Sequence, residues 1–514
     1  MSVPPNAPLR LDPPVIELLA HLAAALASHN LDAYLVGGCL RDALLERPVA
    51  DIDLAVAGDP EPAARRLADE AGGHFVPLDP ERGLIRVILD RGAVRCLDLG
   101  RLRGDLPSDL GERDFTIDAL AAPLAPVARG EAVALTDPFG GRSDLRARLV
   151  RAVSEQTFRS DPARLLRAVR LCVELSFDLD ATTASLIRCD LALLGQAAPE
   201  RQRDELGRIL STDRAACGMR LLDALGLLER LVPEVTAGRG VSQPKEHYWD
   251  VFDHALETVA ALDFMLSEAE PGGRREARLW RELWDTLAWL PPLRDYLREE
   301  PVEGRSQAAL LKLAALLHDV AKPDTRAPDK DGRIRFFGHA KLGAERAEAI
   351  LRRLRFSARE TRLVTLMVAE HLRPGQIAYQ GPPTRRALFR FFRDTGEAAP
   401  GVLLLTLADH AAARGPRMRI DGWRNHVAYI NYLLARRYTE ETLVAPPRLL
   451  TGHDIMAALG IPPGPEVGRL LSALEEAQAA GEAPDRDSAL ALVRRLHEAA
   501  AGKAKVLAGS AAKD

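Results

Sequence analysis

Two carboxylates that share one face of a strand are the first residues of this chain equipped for chemistry. In the alternating run Asp51-Ile52-Asp53-Leu54-Ala55-Val56, side chains at i and i+2 point the same way, so Asp51 and Asp53 stand together. Carboxylates a few ångströms apart repel unless something positive lies between them. A hard divalent cation such as Mg²⁺, which takes oxygen ligands, meets that need. Just upstream, Gly37-Gly38 ends an apolar run. Paired glycines let backbone N–H groups approach an anion, as phosphate-cradling turns do, although this is not the G-x-x-x-x-G-K-[ST] loop of the NTPases. A phosphate cradle followed by a D-x-D strand points to nucleotidyl transfer.

Three further groups have chemistry to offer. Asp98 lies amid apolar neighbours in AVRCLDLGRL; it is either paired or metal-bound, or a strand-end carboxylate facing water. In RGDLPSDLGERDFTIDALA, Arg113 offers forked donors for triphosphate or ribose oxygens, and Asp114 can accept from a sugar hydroxyl. In FRSDPARLLRAVRLCVELSF, Asp161 and Arg164 lie three apart, which predicts one face at the start of a helix begun by Pro162. An acceptor beside a fork of donors can read a Watson–Crick edge. Cytosine and adenine both present an amino donor and a ring-nitrogen acceptor, whereas uracil and guanine put a carbonyl where the amino group would be. The plainer alternative for such a pair is a helix salt bridge.

The elements that must position these groups follow from periodicity. Residues 13–29 read as an amphipathic helix leading into a strand that ends at Gly37, residues 40–45 as a short helix, and 61–72 as a helix closed by Gly72-Gly73. GLIRVILDRG and AVRCLDLGRL are two strands joined at Arg91-Gly92, a hairpin. PERQRDELGRIL over 199–210 is a charged helix whose Arg201, Arg203 and Arg208 can touch RNA phosphates, with a solvated face as the default. TRRALFRFFRD over 384–394 interleaves arginines with phenylalanines; aromatics facing a core are favoured over RNA binding. Residues 501–514 are expected to be disordered.

Composition sets the outer bounds. The chain has 514 residues, 47% hydrophobic and 28% charged, which predicts several globular domains. A net charge of −4 gives no global pull toward nucleic acid, so RNA binding must come from local basic surfaces. No run approaches the ~20 apolar residues of a membrane span, and MSVPPNAPLRLDPP lacks the pattern of a signal peptide. A cytoplasmic protein without membrane or stable protein partners is expected. Five scattered cysteines, with no C-x-x-C pair, argue against a zinc ribbon or disulfide framework and are expected as buried thiols.

Taken in order, LVGGCLRDALLERPVADIDLAV over 35–56, RDFTIDA over 113–119, DPFGG over 137–141 and SDPAR over 160–164 resemble the class II tRNA nucleotidyltransferase and bacterial poly(A) polymerase branch of the nucleotidyltransferase superfamily. Departures are Glu112 where many relatives have Arg, Asp118 where they have Asn, and Ser160 where they have Glu. The resemblance implies that Asp51 and Asp53 hold two Mg²⁺ ions with Asp98 completing the acidic cluster. It also implies that Gly37, Gly38 and Arg41 cradle the triphosphate, that Arg113 and Asp114 hold ribose and phosphate, and that Asp161 with Arg164 selects the base. Partners would be tRNA, ATP and CTP. Downstream, His254, His318-Asp319, His339, His371 and Asp409 recur at intervals that are hard to place as core. They resemble the HD superfamily of metal-dependent phosphohydrolases. That resemblance implies His254, His318, Asp319 and Asp409 as ligands of a divalent metal (Mg, Mn, Ni, Fe or Co), with His339, His371 and Lys322 serving a second metal or the phosphate.

The resulting expectation is an α+β protein. An N-terminal helix at 1–30 precedes a nucleotidyltransferase head with a small mixed sheet at 31–150. A helical neck follows at 151–235, an all-α HD domain at 246–430 with an insertion near 265–307, and a helical tRNA-binding tail at 445–500. The expected activity is CCA addition to tRNA, with poly(A), CC-only or A-only addition as siblings. An HD phosphodiesterase with a nucleotide-binding head, or a non-catalytic tRNA-binding protein, are the rivals from other classes.

Overall fold

The computed structural model describes residues 9–510 except 82, 90, 91, 93, 288, 289, 379 and 380. The chain divides into two compact units, residues 1–209 with 221–231, and residues 210–220 with 232–514.

The first unit is built on a six-stranded mixed sheet: β1 (Ala33–Val36), β2 (Asp51–Val56), β3 (His74–Asp79), β4 (Leu84–Ile88), β5 (Cys96–Arg101) and β6 (Ala121–Pro123), in the order β3-β4-β5-β2-β1-β6. β2 and β5 pair in parallel and every other neighbouring pair is antiparallel. That single parallel pair sets Asp53 opposite Asp98, and Asp51 opposite Cys96. Ile52 and Leu54, buried on the other face, anchor the D-x-D strand so that its carboxylates face outward. Helices Pro13–Ala27 and Glu61–Ala71 form where apolar residues recur at helical spacing, the latter closed by Gly72 at φ 66°. The ladder between β4 and β5 agrees with the hairpin expectation, although Arg91 lies outside the described residues. The rest of the unit is helical from Gly141 onward, apart from the short pair Leu149–Val150 with Asp178–Leu179.

The second unit is nearly all helix. Val251–Leu266, Gln307–Leu317, His339–Arg353, Ala358–Glu370 and Ala399–Arg414 form its centre, with Gln307–Leu317 buried on every side. The stretch near 265–307 supplies the additional helices Arg274–Thr286 and Leu290–Arg298. The helix Arg385–Thr395 buries Phe389, Phe391 and Phe392. It ties Arg385 to Glu440, Arg386 to Glu482, and Arg390 and Arg393 to Glu476, so this arginine face is matched to acidic neighbours. The helix Gly452–Leu459 and those that follow it gather around Leu450, Ile455, Leu470, Leu474 and Val493.

Two expectations are corrected. The helix beginning at Arg486 continues to Ser510 through a run rich in alanine, the strongest helix former, where disorder was expected; 511–514 lie outside the described residues. Of the five free cysteines, only Cys39 and Cys172 are buried, while Cys189 and Cys217 are exposed. Among the described residues, no helix is long and apolar enough to cross a membrane.

Candidate active site

Gly37 brings the glycine turn onto the carboxylates. At φ 75° it occupies backbone space that favours glycine, and a Cβ there would stand 2.7 Å from Asp53 Oδ2 and 2.8 Å from an Arg113 terminal nitrogen. Turn, carboxylate and guanidinium therefore meet at van der Waals distance. Gly38 opens the helix Gly38–Leu44, whose N-terminus has no side-chain cap. Asp98 is gripped by both nitrogens of an Arg86 fork at 2.7 Å, which answers the cost of a carboxylate amid apolar neighbours. Burial, with the charge of Asp98 alongside, pushes the Asp53 carboxyl up to about 6 against the pull of Arg113. The donors present are thus carboxylate oxygens in need of positive charge, and they fit a hard divalent cation.

A cleft of about 360 Å³ opens from these residues. Asp53, Asp98, Arg113, Asp114, Asp161 and Arg164 line it, whereas Gly37, Gly38, Arg41 and Asp51, also singled out from the sequence, are not among the described residues that line it. Arg167 also lines it and holds Asp114 at 2.7 Å; burial alone would raise Asp114, yet Arg167 and Arg164 keep its carboxyl low. Asp161 accepts two 2.7 Å bonds from the Arg201 fork, which hold its carboxyl below its usual range although burial opposes them. Arg164 donates to the carbonyls of Thr157 and Glu112 and to the Ser160 hydroxyl. Each carboxylate oxygen has a second lone pair and Arg164 has further N–H groups, so both keep capacity for a base edge.

Asp161 does not lie on the helix of Arg164. The helix Thr157–Ser160 ends at Asp161, whose backbone is extended at φ −154° and ψ 100°, and the next helix begins only at Arg164. The cause is Pro162, since the residue before a proline is driven out of the helical region. Arg41 is buried in a fork between Asp42 and Asp118, at 2.9 and 2.8 Å. Its donors brace the helix Gly38–Leu44 against Asp118, and it is not among the described residues lining the cleft. Asp51 sits exposed at the start of β2 and accepts from Cys96 Sγ at 3.1 Å.

The second unit gathers its own cluster. His254 Nε2 lies 3.0 Å from Asp409 Oδ1, 3.4 Å from Asp319 Oδ2 and 3.2 Å from His318 Nε2. His339 Nε2 approaches the other oxygen of Asp319 at 3.4 Å and His371 Nε2 at 4.0 Å. The Nδ1 atoms of His318, His339 and His371 each meet a backbone carbonyl, of Ala315, Phe336 and Val368, at 2.6–2.8 Å. An N–H must stand there, which fixes each ring with its Nε2 aimed inward. The Nε2 atoms of His339 and His371 are buried without a hydrogen-bond partner. Burial, with the charge of His318 nearby, presses His371 down to about 4. Burial alone would raise Asp319, yet His318 and Lys322 hold its carboxyl well below the usual range. Imidazole nitrogens and ionised carboxylates converging on one point suit divalent metal ions. Lys322 bridges Asp319 at 2.5 Å and Gln243 at 2.6 Å.

Comparison with known proteins matches three family models: the Poly A polymerase head domain over residues 33–151, the "Probable RNA and SrmB- binding site of polymerase A" over 176–238, and the HD domain over 277–414. An A-adding tRNA nucleotidyltransferase of Deinococcus radiodurans is 38% identical over 476 residues, covering 91% of this chain and 96% of that protein. The chain belongs to the tRNA nucleotidyltransferase family. A CC-adding tRNA nucleotidyltransferase of Thermus thermophilus is 37% identical over 472 residues, covering 90% of this chain and 93% of that protein. The solved structure of the Thermotoga maritima CCA-adding enzyme with tRNA is 19% identical, with a TM-score of 0.57 over 95% of this chain and 96% of that one, and so shares the fold. In this nucleotidyltransferase, Arg86, Arg167 and His247 line or brace a site without having been singled out in the sequence, and Arg201, read there as an RNA-phosphate contact or a solvated residue, instead grips Asp161. Arg167 alone had a local signal, one helical turn beyond Arg164 in RLLRAVR.

Proposed function

We propose that this nucleotidyltransferase adds C and A to the 3′ end of tRNA, using CTP and ATP, in the cytoplasm and with Mg²⁺ held by Asp51 and Asp53. One observation carries the reading: Asp53 on β2, Asp98 on β5, the Arg113-Asp114 pair and the Asp161-Arg164 pair surround a single cleft. Mg²⁺ bound there would activate the RNA 3′-hydroxyl and neutralise the leaving pyrophosphate in the two-metal, in-line manner. Asp98 completes the acidic cluster, and its own charge is balanced by Arg86. Gly37 and Gly38 offer backbone N–H groups to the triphosphate, and Arg113 meets phosphate or ribose oxygens with its fork. Asp114, fixed by Arg167, accepts from the sugar, while Asp161 and Arg164 accept cytosine or adenine and reject uracil and guanine. The modules doing this are a head at 31–150 and a neck at 151–235. An HD domain at 246–430 acts as a phosphohydrolase with Mg²⁺, Mn²⁺, Ni²⁺, Fe²⁺ or Co²⁺, trimming phosphates from damaged ends, and a tail at 445–500 contacts tRNA.

A second reading, addition of A alone or of CC alone, is favoured by the A-adding and CC-adding names of the relatives that cover nine-tenths of the chain. The test incubates purified protein with Mg²⁺, labelled CTP or ATP and tRNA transcripts ending before CCA, after C and after CC, with Asp53→Ala as control. Ordered addition stopping at CCA, lost in the control, is expected. A-only or CC-only products move the assignment to the second reading, and no incorporation by wild type overturns both.

A further inference from the structure

His247 stands at the edge of the histidine and aspartate cluster, outside the residues that sequence reasoning assigned to it. It precedes the helix Val251–Leu266 and meets His254 edge-on, with ring centroids 5.2 Å apart and planes at 79°. One ligand atom each from His247, His254 and Asp409 lie within 4.8 Å of one another, and His247 Nδ1 is buried without a hydrogen-bond partner. The segment carrying it is tied down on several sides. The Tyr248 N–H donates to the Ala413 carbonyl at 2.9 Å. Asp250 caps the following helix at Asp253 and takes the Gly240 N–H, at 2.7 Å each. Gln243 donates to the Trp249 and Asp250 carbonyls while its own oxygen receives Lys322, whose ammonium also grips Asp319. The position of His247 is therefore built by the same contacts that build the cluster.

Two edges of the cluster can be distinguished. His339 and His371 approach Asp319 Oδ1, while His254 and His318 approach Asp319 Oδ2. His247 joins the second group on its Asp409 side. The separations of His254 Nε2 from Asp409 and His318, 3.0 and 3.2 Å, are those of adjacent ligands about one ion at bond lengths of about 2.1 Å.

We infer that His247 is a further ligand of the cation held by His254, His318, Asp319 and Asp409. The inference rests on the HD domain being a metal centre. Three imidazoles and two carboxylates around one ion favour Co²⁺, Ni²⁺ or Fe²⁺ over Mg²⁺, which prefers an all-oxygen shell and keeps several waters. The experiment strips the full-length protein with a chelator and titrates it with Co²⁺, following binding by equilibrium dialysis and the ligand set by visible absorption. Wild type, His247→Ala, His247→Gln and His318→Ala are compared, with circular dichroism as a check on folding. Wild type is expected to take up Co²⁺ in preference to Mg²⁺. Both His247 variants should bind Co²⁺ at least about tenfold more weakly with an altered absorption band, a loss on the scale of removing a group that tunes a metal site. If His247→Ala fails to fold, the Gln variant, which keeps the volume, decides. Affinity and spectrum unchanged in the folded His247 variants, with Co²⁺ lost in His318→Ala, overturn the inference while leaving the metal centre standing. Wild type and His318→Ala binding Co²⁺ equally poorly overturn the metal centre and the inference together.

Discussion

Asp53 is a carboxylate held where its charge is disfavoured. Burial and the neighbouring Asp98 lift it to about 6 from an ordinary value of 3.8. The folded, metal-free protein therefore binds this proton more tightly than the unfolded chain does. The stability contributed by a neutral Asp53 is complete below pH 3.8 and is lost as pH rises through about 6. Asn at this position is neutral at every pH. In a chelator, Asp53→Asn should thus be more stable than wild type above pH 6, by on the order of 2 kcal/mol once its partial solvent exposure is discounted. The gap should close as pH falls toward about 4. Urea midpoints of the two proteins across that range measure it, and a gap that stays constant with pH refutes the account. The same substitution abolishes nucleotide addition if Asp53 carries the metal, so stability and activity move in opposite directions.

At the scale of elements, the cleft depends on a helix distant in sequence. Arg201, on the helix Pro199–Leu210, fixes both oxygens of Asp161 from 40 residues away. Without that fork an extended residue between two helices has little else to orient its side chain, apart from the N–H of Ala163 and the edge of Arg164 at 3.8 Å. Arg201→Ala should relax discrimination of CTP and ATP against UTP and GTP by about tenfold, the worth of one charge-assisted fork at a partly exposed site. Competition with mixed nucleotides reads this directly, and unchanged selectivity would show that Asp161 is oriented without Arg201. What could be seen in the sequence divides along the same line. The D-x-D strand, the glycine turn and the histidines at helix ends are local patterns, with partners two to four residues away or a turn chemistry of their own. Arg86, Arg201 and His247 matter only through residues the fold brings to them, and a charged residue on an amphipathic helix looks the same whether it meets water or Asp161. Asp161-Pro162 is the instructive exception. The displacement of Asp161 from the helix was legible in the proline, but the i,i+3 spacing was read instead.

For the molecule as a whole, each compact unit closes its own chemistry. The cleft carboxylates and their arginine partners all fall within 1–209, and the histidine and aspartate cluster falls wholly within the second unit. The net charge of −4 is consistent with this economy, because arginines such as those of the helix Arg385–Thr395 are matched to glutamates, leaving RNA attraction to local surfaces. His318 is fully buried with its Nε2 3.2 Å from Asp319 and from His254, so His318→Ala removes a candidate ligand and leaves the Asp319 charge with one fewer partner. That disturbance belongs to the second unit. Metal-dependent ring opening of a 2′,3′-cyclic nucleotide, in which water breaks one P–O ester bond to give the phosphomonoester, should disappear in His318→Ala, while the rate of CTP and ATP incorporation into tRNA stays within about twofold of wild type, less than 0.5 kcal/mol in barrier. Both activities are read from one preparation, which separates loss of a site from loss of protein. A parallel fall in incorporation would mean that the two chemistries share a structural element, and the independence argued from the two units would have to be abandoned.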